Sequence, residues 1–177
     1  MAKNHFWKMF ENKCARDFGG AGRFPANQGG ALDFETPYAI GQCKTMKTGA
    51  ARASYSVRDV MTWAREIEAL AQRETARAEK WPVVCVKVRR GVAIRSETLF
   101  CLSMSAAASW IGAAPALYAT YPVTTHGVSL DRLTTFVEMI TTMEPDTIGA
   151  RVVLGRHAMV VIGRARFLQS YTFKRAN

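Results

Sequence analysis

Three side chains that could act on a phosphate lie close together in the sequence, at Asp33, Gln42 and Lys44. They belong to two short apolar runs that are joined by a Thr-Pro turn. Residues two apart in an extended strand share a face, so Gln42 and Lys44 point one way and Cys43 points the other. If the two runs pair, a carboxylate, an amide oxygen and an ammonium meet at one place. Oxygen ligands suit Mg²⁺, and a bound cation offsets the charge of a scissile phosphate.

A second acid, Glu11, stands in the first helix that the sequence predicts, over residues 4–18. The apolar stripe of this helix repeats every four residues and ends before a Gly-Gly pair: Phe6, Phe10, Cys14 and Phe18. Glu11 borders the stripe, so its carboxylate can point into a cleft. An ordinary glutamate on the helix surface is the alternative, but the residues further along the chain favour the functional interpretation.

The order Glu11, Asp33 and Gln42-Cys43-Lys44 resembles the core motif of the PD-(D/E)xK nucleases. Within that superfamily the spacing is most similar to the archaeal-type Holliday junction resolvases, including phage-encoded relatives. Those proteins place an Arg-x-Pro-x-Ser-Gly-like loop before the Asp, and residues 23–29 read Arg-Phe-Pro-Ala-Asn-Gln-Gly at this point. The resemblance extends over roughly residues 5–92, and its motifs are short.

Two residues depart from the pattern of the family. Gln42 stands where most members have Glu or Asp, although some, such as the end-cleaving subunit of certain transposons, carry Gln there. The amide keeps a carbonyl oxygen for a metal but removes one negative charge, so we expect weaker metal binding. Asn27 stands where the resolvases often have Ser, which puts the role of that loop in question.

The resemblance implies a DNA endonuclease that depends on Mg²⁺ or Mn²⁺. Asp33, Gln42 and the Cys43 carbonyl would hold the metal, and Glu11 would bind it or orient the attacking water. Lys44 would stabilise the charge that develops on the phosphate. Contacts to the DNA backbone would come from four residues: Arg23, Asn27, Lys47 and Arg52. The substrate implied is branched DNA such as a four-way junction, and a homodimer would present two sites to it.

The distribution of charge agrees with a polyanionic partner. The net charge is +10, and residues 1–95 carry 17 Lys and Arg against nine Asp and Glu. Residues 96–146 carry one base against five acids, whereas residues 147–177 carry six bases and no acid. A basic surface beside a phosphate site fits DNA. For the helix predicted at 57–80, where acids and bases alternate, solvation of the helix surface is the better explanation.

The elements predicted around the site form an α/β pattern. A short strand at 21–26 precedes strands at 31–36 and 38–46, and the helix at 57–80 leads to a buried strand at 83–88, parallel to its neighbour. This order matches the α-β-β-β-α-β core of the resembled family. We therefore expect a restriction-endonuclease-like mixed sheet flanked by helices, with a nuclease core at 1–95. Residues 96–177 would form an α+β extension that packs on the core within one compact domain and could carry a dimer surface.

The second half of the chain is less regular in pattern. Residues 98–104 fit a strand or a buried helix equally well. Residues 105–111 favour a helix, residues 112–127 look irregular, and Ser129 would cap a helix that runs to about Met143. Two strands are predicted at 152–154 and 158–162, around a Gly-Arg-His turn.

Other chemistries receive little support. The four cysteines form no C-x-x-C pair, so no zinc site is expected, and Cys43 and Cys85 are interpreted as small buried thiols. The three histidines are isolated, and the chain has no Walker loop or G-x-G-x-x-G. No apolar run of about 18 residues predicts a membrane span, and the N-terminus lacks a secretory pattern, so a cytoplasmic protein is expected, in the host cytoplasm if it is phage-encoded.

Three alternatives to a junction resolvase stay open. The first is a DNA-binding protein without catalysis on the same scaffold, for which Gln42 would mark the lost chemistry. The second is a repair or restriction-type endonuclease. The third is a basic structural or assembly protein with an accidental motif, in which Asp33 and Lys44 would lie far apart.

Overall fold

The structure is a computed structural model that describes residues 3–21, 32–45, 57–73, 77, 79–90, 95–103, 106, 118–122, 124–125, 128–129, 149–154 and 157–170. The helices of this part of the chain are α1 (Lys3–Asp17), α2 (Val57–Arg73) and α3 (Arg164–Ser170). Its strands are β1 (Phe34–Glu35), β2 (Ala39–Thr45), β3 (Trp81–Arg90), β4 (Arg95–Ser103), β5 (Tyr118–Pro122), β6 (Thr124–Thr125), β7 (Val128–Ser129), β8 (Gly149–Leu154) and β9 (His157–Gly163).

Most of these strands belong to one mixed sheet. Seven strands follow the order β1-β2-β3-β4-β9-β8-β5, and β6 pairs with β7 separately. β2 runs parallel to β3 and β5 runs parallel to β8, whereas the other neighbours in the large sheet are antiparallel. Helices flank this sheet, so the prediction of an α/β protein with a mixed sheet is confirmed.

Helix α2 is the crossover between β2 and β3. Parallel neighbours need a long connection, and a helix supplies it. The register pairs Ala39 with Trp81 and Cys43 with Cys85. Residues 83–86 of β3 are completely buried, because both faces of the sheet are covered at this strand. The predicted parallel pairing of the two strands is therefore confirmed.

Helix α1 covers the face of the sheet to which Cys43 and Cys85 point. Its Phe10, Cys14 and Phe18 are buried in one apolar cluster with these two cysteines. The Phe18 ring packs on three other aromatic rings at centroid distances between 4.9 and 5.9 Å: Phe34, Phe100 and Phe167. Phe10, Cys14 and Phe18 of the predicted stripe thus lie on the side of α1 that packs on the sheet.

The end of α1 is closed by its Gly-Gly pair, as the sequence predicted. Gly19 has a φ of 78°, a left-handed conformation that glycine adopts without steric strain. The Gly19 N–H donates to the Arg16 carbonyl at 3.1 Å, and the Gly20 N–H donates to the Ala15 carbonyl at 2.9 Å. These two bonds form a Schellman motif and satisfy carbonyls that the helix end would leave unpaired.

Helix α2 lies on the opposite face of the sheet, the face of Lys44. Its buried side chains recur at helical spacing: Val60, Ala64, Ile67 and Ala71. The predicted end at Lys80 was wrong, because α2 ends at Arg73 and Lys80 lies in a bend. Beyond the end of α2, Arg77 and Lys80 bind the carboxylate of Glu35, with nitrogen–oxygen distances of 2.9 and 2.7 Å. A contact with another element has therefore overridden helix propensity here.

In the second half of the chain, the structure tests the predictions of strands, helices and irregular segments. The run that fitted a strand or a buried helix is strand β4, which ends at Ser103. The predicted irregular segment 112–127 contains β5 and β6, so that prediction was wrong for 118–122 and 124–125. The pairing of β5 with β8 joins Tyr118 to Gly149, and such a long-range partner leaves little signal in the local sequence. The two predicted strands around the Gly-Arg-His turn are confirmed as β8 and β9.

Several predicted elements fall outside the described residues. They are residues 22–26 of the strand predicted at 21–26, most of the helix at 105–111, and the helix at 130–143. Ser129, expected as a helix cap, lies in β7. The boundary at residue 95 between a core and an extension stays a prediction.

Candidate functional site

The Asp33 carboxylate lies at the edge of the sheet, beside the strand that carries Gln42 and Lys44. The backbone N–H of Asp33 donates to the Gly41 carbonyl at 2.9 Å. Its Oδ2 accepts a hydrogen bond from the backbone N–H of Cys43 at 2.6 Å. Asp33 precedes the paired residues of β1, and its side chain binds the backbone of β2 directly. This hydrogen bond fixes the position of the Asp33 carboxylate.

A tight turn between β1 and β2 sets this geometry. The hydroxyl of Thr36 accepts hydrogen bonds from the N–H groups of Tyr38 and Ala39 at 3.1 and 2.9 Å. The Thr36 N–H donates to the Ala39 carbonyl at 2.8 Å. Bonds of this type are why threonine favours turns. The predicted hairpin through the Thr-Pro pair is confirmed, and Asp33 reaches the backbone of Cys43 because of it.

The negative charge of Asp33 acts on the second acid, Glu11, although Glu11 comes from α1. It is half-buried, and its pKa is raised to about 7. Burial is the main cause, and the negative charge of Asp33 adds to it, while the charge of Lys8 and a hydrogen bond with Trp7 act in the opposite direction. A cation bound beside the ionised Glu11 carboxylate would offset the repulsion from Asp33.

Gln42 and Lys44 share one face of β2, as the alternation of a strand requires, and Cys43 is buried on the other face. The carboxamide oxygen of Gln42 is buried. The ammonium of Lys44 lies 4.9 Å from the ring centroid of Trp63 on α2, a cation–π contact. Lys44 is therefore on the α2 side of the sheet and Glu11 is on the α1 side, with Asp33 at the edge between them.

A lysine that the sequence did not single out lies on the same side of the sheet as α1. Lys87 of β3 places its ammonium 5.7 Å from the ring centroid of Phe10, the residue that precedes Glu11. It is on the α1 side of the sheet, two residues after Cys85. One signal in the sequence could have indicated this lysine. It is a charged residue inside a β-branched run, and a charged side chain in a buried strand needs a specific environment.

The oxygen groups that the motif resemblance assigns to the metal fit a hard divalent cation in kind. Two carboxylates, the buried amide oxygen of Gln42 and the Cys43 carbonyl are the groups that Mg²⁺ or Mn²⁺ prefers. The Cys43 N–H points to Asp33, and the carbonyl of a strand residue points to the same side as its N–H. Two carboxylates supply only part of the ligands that such a cation needs. Backbone carbonyls or waters would complete its coordination shell.

The residues predicted to contact DNA are Arg23, Asn27, Lys47 and Arg52, and all four lie outside the described residues. Their role stays a prediction.

A group of thiols was missed by the sequence argument. Cys14, Cys43 and Cys85 place their sulfur atoms within 4.8 Å of one another, and all three are buried. Burial raises the pKa of Cys43 and Cys85, while hydrogen bonds from these two thiols lower the pKa of Cys14 to about 5. The burial of Cys43 and Cys85 was predicted, but their meeting with Cys14 follows from the packing of α1 on two strands.

Comparison of the chain with models of known protein families, with curated proteins and with solved structures finds no match. No helix in the described residues has both the length and the apolar character needed to cross a membrane.

Proposed function

We propose that the chain is a DNA endonuclease of the PD-(D/E)xK type that depends on Mg²⁺ or Mn²⁺. The observation that carries the proposal is the electrostatic interaction of Asp33 with Glu11, together with the hydrogen bond from the backbone of the strand that bears Gln42 and Lys44 to Asp33. These residues are the ones that the motif resemblance assigns to the site. The charge of Asp33 acts on Glu11 although the two residues are 22 positions apart in the chain, which supports the proposal.

The order of elements supports the same proposal. Helix α1, the hairpin of β1 and β2, helix α2 and the parallel strand β3 follow one another as in an α-β-β-β-α-β core. The first of the three strands is the one predicted at 21–26, of which residues 22–26 lie outside the described residues. We propose on this basis that the sheet is restriction-endonuclease-like.

Each residue of the site would have a separate task. Asp33, Gln42 and the Cys43 carbonyl would hold the cation, which would supply charge neutralisation at the phosphate. Glu11, whose pKa is close to neutral, would bind the cation or accept a proton from the attacking water. Lys44 would stabilise charge on the phosphate, and Lys87 is a second candidate for that task because it lies on the side of Glu11.

A nucleic acid is the partner that the charge favours. The net charge of +10 would attract a polyanion, and binding should weaken steeply as salt rises. A four-way junction is the substrate, and a homodimer the assembly, that the motif resemblance suggests. Both are part of the proposal.

A cleavage assay tests the proposal. Linear, flapped and four-way DNA are incubated with the protein and Mg²⁺ or Mn²⁺, and cleavage of the four-way substrate is expected. Asp33→Asn and Lys44→Ala should each lower the rate by about 100-fold or more. Glu66→Gln and Lys13→Ala change the same charges at exposed positions and should leave the rate unchanged. Full activity of Asp33→Asn would overturn the proposal.

A DNA-binding protein without catalysis is the second candidate. It is favoured by Gln42 in place of an acid, and by the position of the Lys44 ammonium over Trp63 on the side of the sheet away from Glu11. In that case the four-way substrate would be bound in a salt-dependent manner but not cut with either metal. If Lys87→Ala abolishes cleavage and Lys44→Ala does not, the catalytic lysine is Lys87.

A further inference from the structure

We propose that Cys14, Cys43 and Cys85 form a site for one thiophilic metal ion of the Zn²⁺ and Cd²⁺ type. Their three sulfur atoms lie within 4.8 Å of one another. This site is distinct in chemistry from the carboxylates at the sheet edge, because its ligands are sulfur and it is enclosed in the core. The C-x-x-C spacing that usually reveals such a site is absent, since each thiol comes from a different element.

The three elements present the thiols to a common point. Cys43 of β2 and Cys85 of β3 are partners in the parallel ladder, so their side chains project from the same face of the sheet. Cys14 comes from the packing face of α1, which covers that face. A metal with bonds of about 2.3 Å to three sulfurs needs sulfur–sulfur distances of about 4 Å. Small rotations of the thiols within the 4.8 Å cluster would reach this geometry.

The surroundings favour a soft or borderline ion over a hard one. The three cysteines are at most 1% exposed and share their cluster with five phenylalanines: Phe10, Phe18, Phe34, Phe100 and Phe167. No carboxylate belongs to the metal-ligating cluster that the described residues form here, so the ligand set is purely sulfur. Thiolates select Zn²⁺ and related ions, whereas Mg²⁺ prefers oxygen.

Binding would release protons and leave a small net charge. Three thiols and one divalent cation give a complex with a charge of −1 and three free protons, so affinity should increase with pH. The charges of Asp17 and Arg164 act on Cys14 in opposite directions, with that of Asp17 the larger, so this ion pair would not offset the charge of the complex. Arg164 is itself held by Asp17, with Nε 2.6 Å from Oδ2.

The fourth cysteine provides a matched control. Cys101 of β4 is also completely buried, but its ladder partner is Val84, one residue from Cys85, so it projects from the other face of the sheet. It behaves as an ordinary buried thiol that packs as a small apolar group. The three clustered thiols would in addition fix α1 on β2 and β3, with Glu11 one helical turn before Cys14 on the same side of α1.

The test begins from unfolded, reduced protein, because the buried site would take up its ion during folding. The full chain is refolded with Zn²⁺, with Cd²⁺, or with a chelator, and native mass spectrometry counts the metal. One ion per chain is expected with either metal, together with a sulfur-to-cadmium absorption band in the ultraviolet and a higher unfolding temperature than the chelator sample.

Variants then assign the ligands. Cys14→Ala, Cys43→Ala and Cys85→Ala should each weaken Cd²⁺ binding by about 10-fold or more, and Cys101→Ala should leave it unchanged. Asp33→Asn should also retain one Cd²⁺, which separates this site from the acids at the sheet edge. X-ray absorption on the wild-type Zn²⁺ protein should show three sulfur neighbours at about 2.3 Å, a result that needs no variant to fold.

Three outcomes would overturn the proposal. The first is a folded protein that stays metal-free in an excess of Zn²⁺ and of Cd²⁺. The second is a zinc shell without sulfur, and the third is a disulfide between two of the three cysteines in place of the metal.

Discussion

At the scale of single residues, Asp33 and Glu11 are both held in unusual surroundings. Oδ2 of Asp33 accepts the Cys43 N–H, a charge-assisted hydrogen bond that positions the carboxylate. Glu11 is half-buried beside this charge, so its ionised form is disfavoured. An acid pair of this kind opposes folding at neutral pH, and its retention at the sheet edge is consistent with a site for a cation.

The stability of the Glu11→Gln variant relative to the wild type should be higher at pH 8 than at pH 4. The pKa of Glu11 rises from 4.5 to about 7 on folding. The wild type therefore gains stability from the protonated carboxyl below the unfolded pKa of 4.5, and it loses this stability as the pH rises through the folded pKa of about 7. Thermal unfolding of both proteins between pH 4 and 8, without divalent cations, measures the effect. The groups that face Glu11 are Asp33, Lys8, Trp7 and Cys14.

Glu66→Gln, at an exposed position of α2, is the control and should show no such trend. A difference between Glu11→Gln and wild type that is the same at pH 4 and at pH 8 would contradict the prediction.

At the scale of elements, the hairpin of β1 and β2 positions the site, and two features hold it. The first is the pair of Phe34 and Gly41, which are neighbours across the two strands. A Cβ on Gly41 would overlap the Phe34 ring, so a glycine is required for close approach. The second is Glu35, which accepts hydrogen bonds from Arg77 and Lys80 beyond α2.

Gly41→Ala should destabilise the protein by about 1–3 kcal/mol, because the buried Phe34 ring cannot move without disturbing its aromatic neighbours. Urea unfolding measures the change. The double variant with Phe34→Leu should lose less stability than the sum of the two single variants, since the smaller side chain makes room for the methyl group. Strict additivity would show that the two residues do not interact.

Glu35→Gln should destabilise the protein by about 1 kcal/mol at neutral pH, and the difference should disappear in acid. Burial alone would raise the pKa of Glu35, but the hydrogen bonds and charges of Arg77 and Lys80 outweigh it and lower the pKa. The stabilisation is therefore complete above the unfolded pKa of the carboxyl and is lost as pH falls through the folded pKa. Urea unfolding at pH 7 and at pH 3 checks the sign, and a larger difference at pH 3 would refute it.

At the scale of the whole molecule, one sheet runs through both halves of the chain. β4 pairs with β3 on one side and with β9 on the other, so strands from beyond residue 95 continue the sheet that carries the site. Helix α3 adds to this continuity, because Arg164 at its start binds Asp17 of α1 through two hydrogen bonds at 2.6 and 2.7 Å. The surface that covers β3 thus comes from distant parts of the chain.

A fragment of residues 1–95 should fail to fold as a monomer. It would leave the edge of β3 unpaired, and its buried residues 83–86 would lose the cover of β4. Size-exclusion chromatography with light scattering, together with circular dichroism, checks this. Addition of residues 96–177 as a second chain should increase the folded fraction, whereas a monomeric fragment with cooperative unfolding would contradict the prediction.

Local pattern in the sequence was enough to determine the elements around the site. The apolar stripe of α1, its Gly-Gly end, the hairpin through the Thr-Pro turn and the buried strand β3 depend on neighbours a few residues apart, so periodicity and turn chemistry report them. The alternation that separates Cys43 from Gln42 and Lys44 follows from the same local geometry. The pairing of β5 with β8 left no comparable signal, because its partners are about 30 residues apart in the chain.

The tertiary structure alone decided which side chains meet. The charge of Asp33 acts on Glu11, the ammonium of Lys44 lies over Trp63, and three cysteines from three elements share one point in the core. None of these contacts follows from spacing, because each depends on how α1 and α2 pack on opposite faces of the sheet. A sequence records which face of its own element a residue occupies, whereas packing and register determine what that face touches.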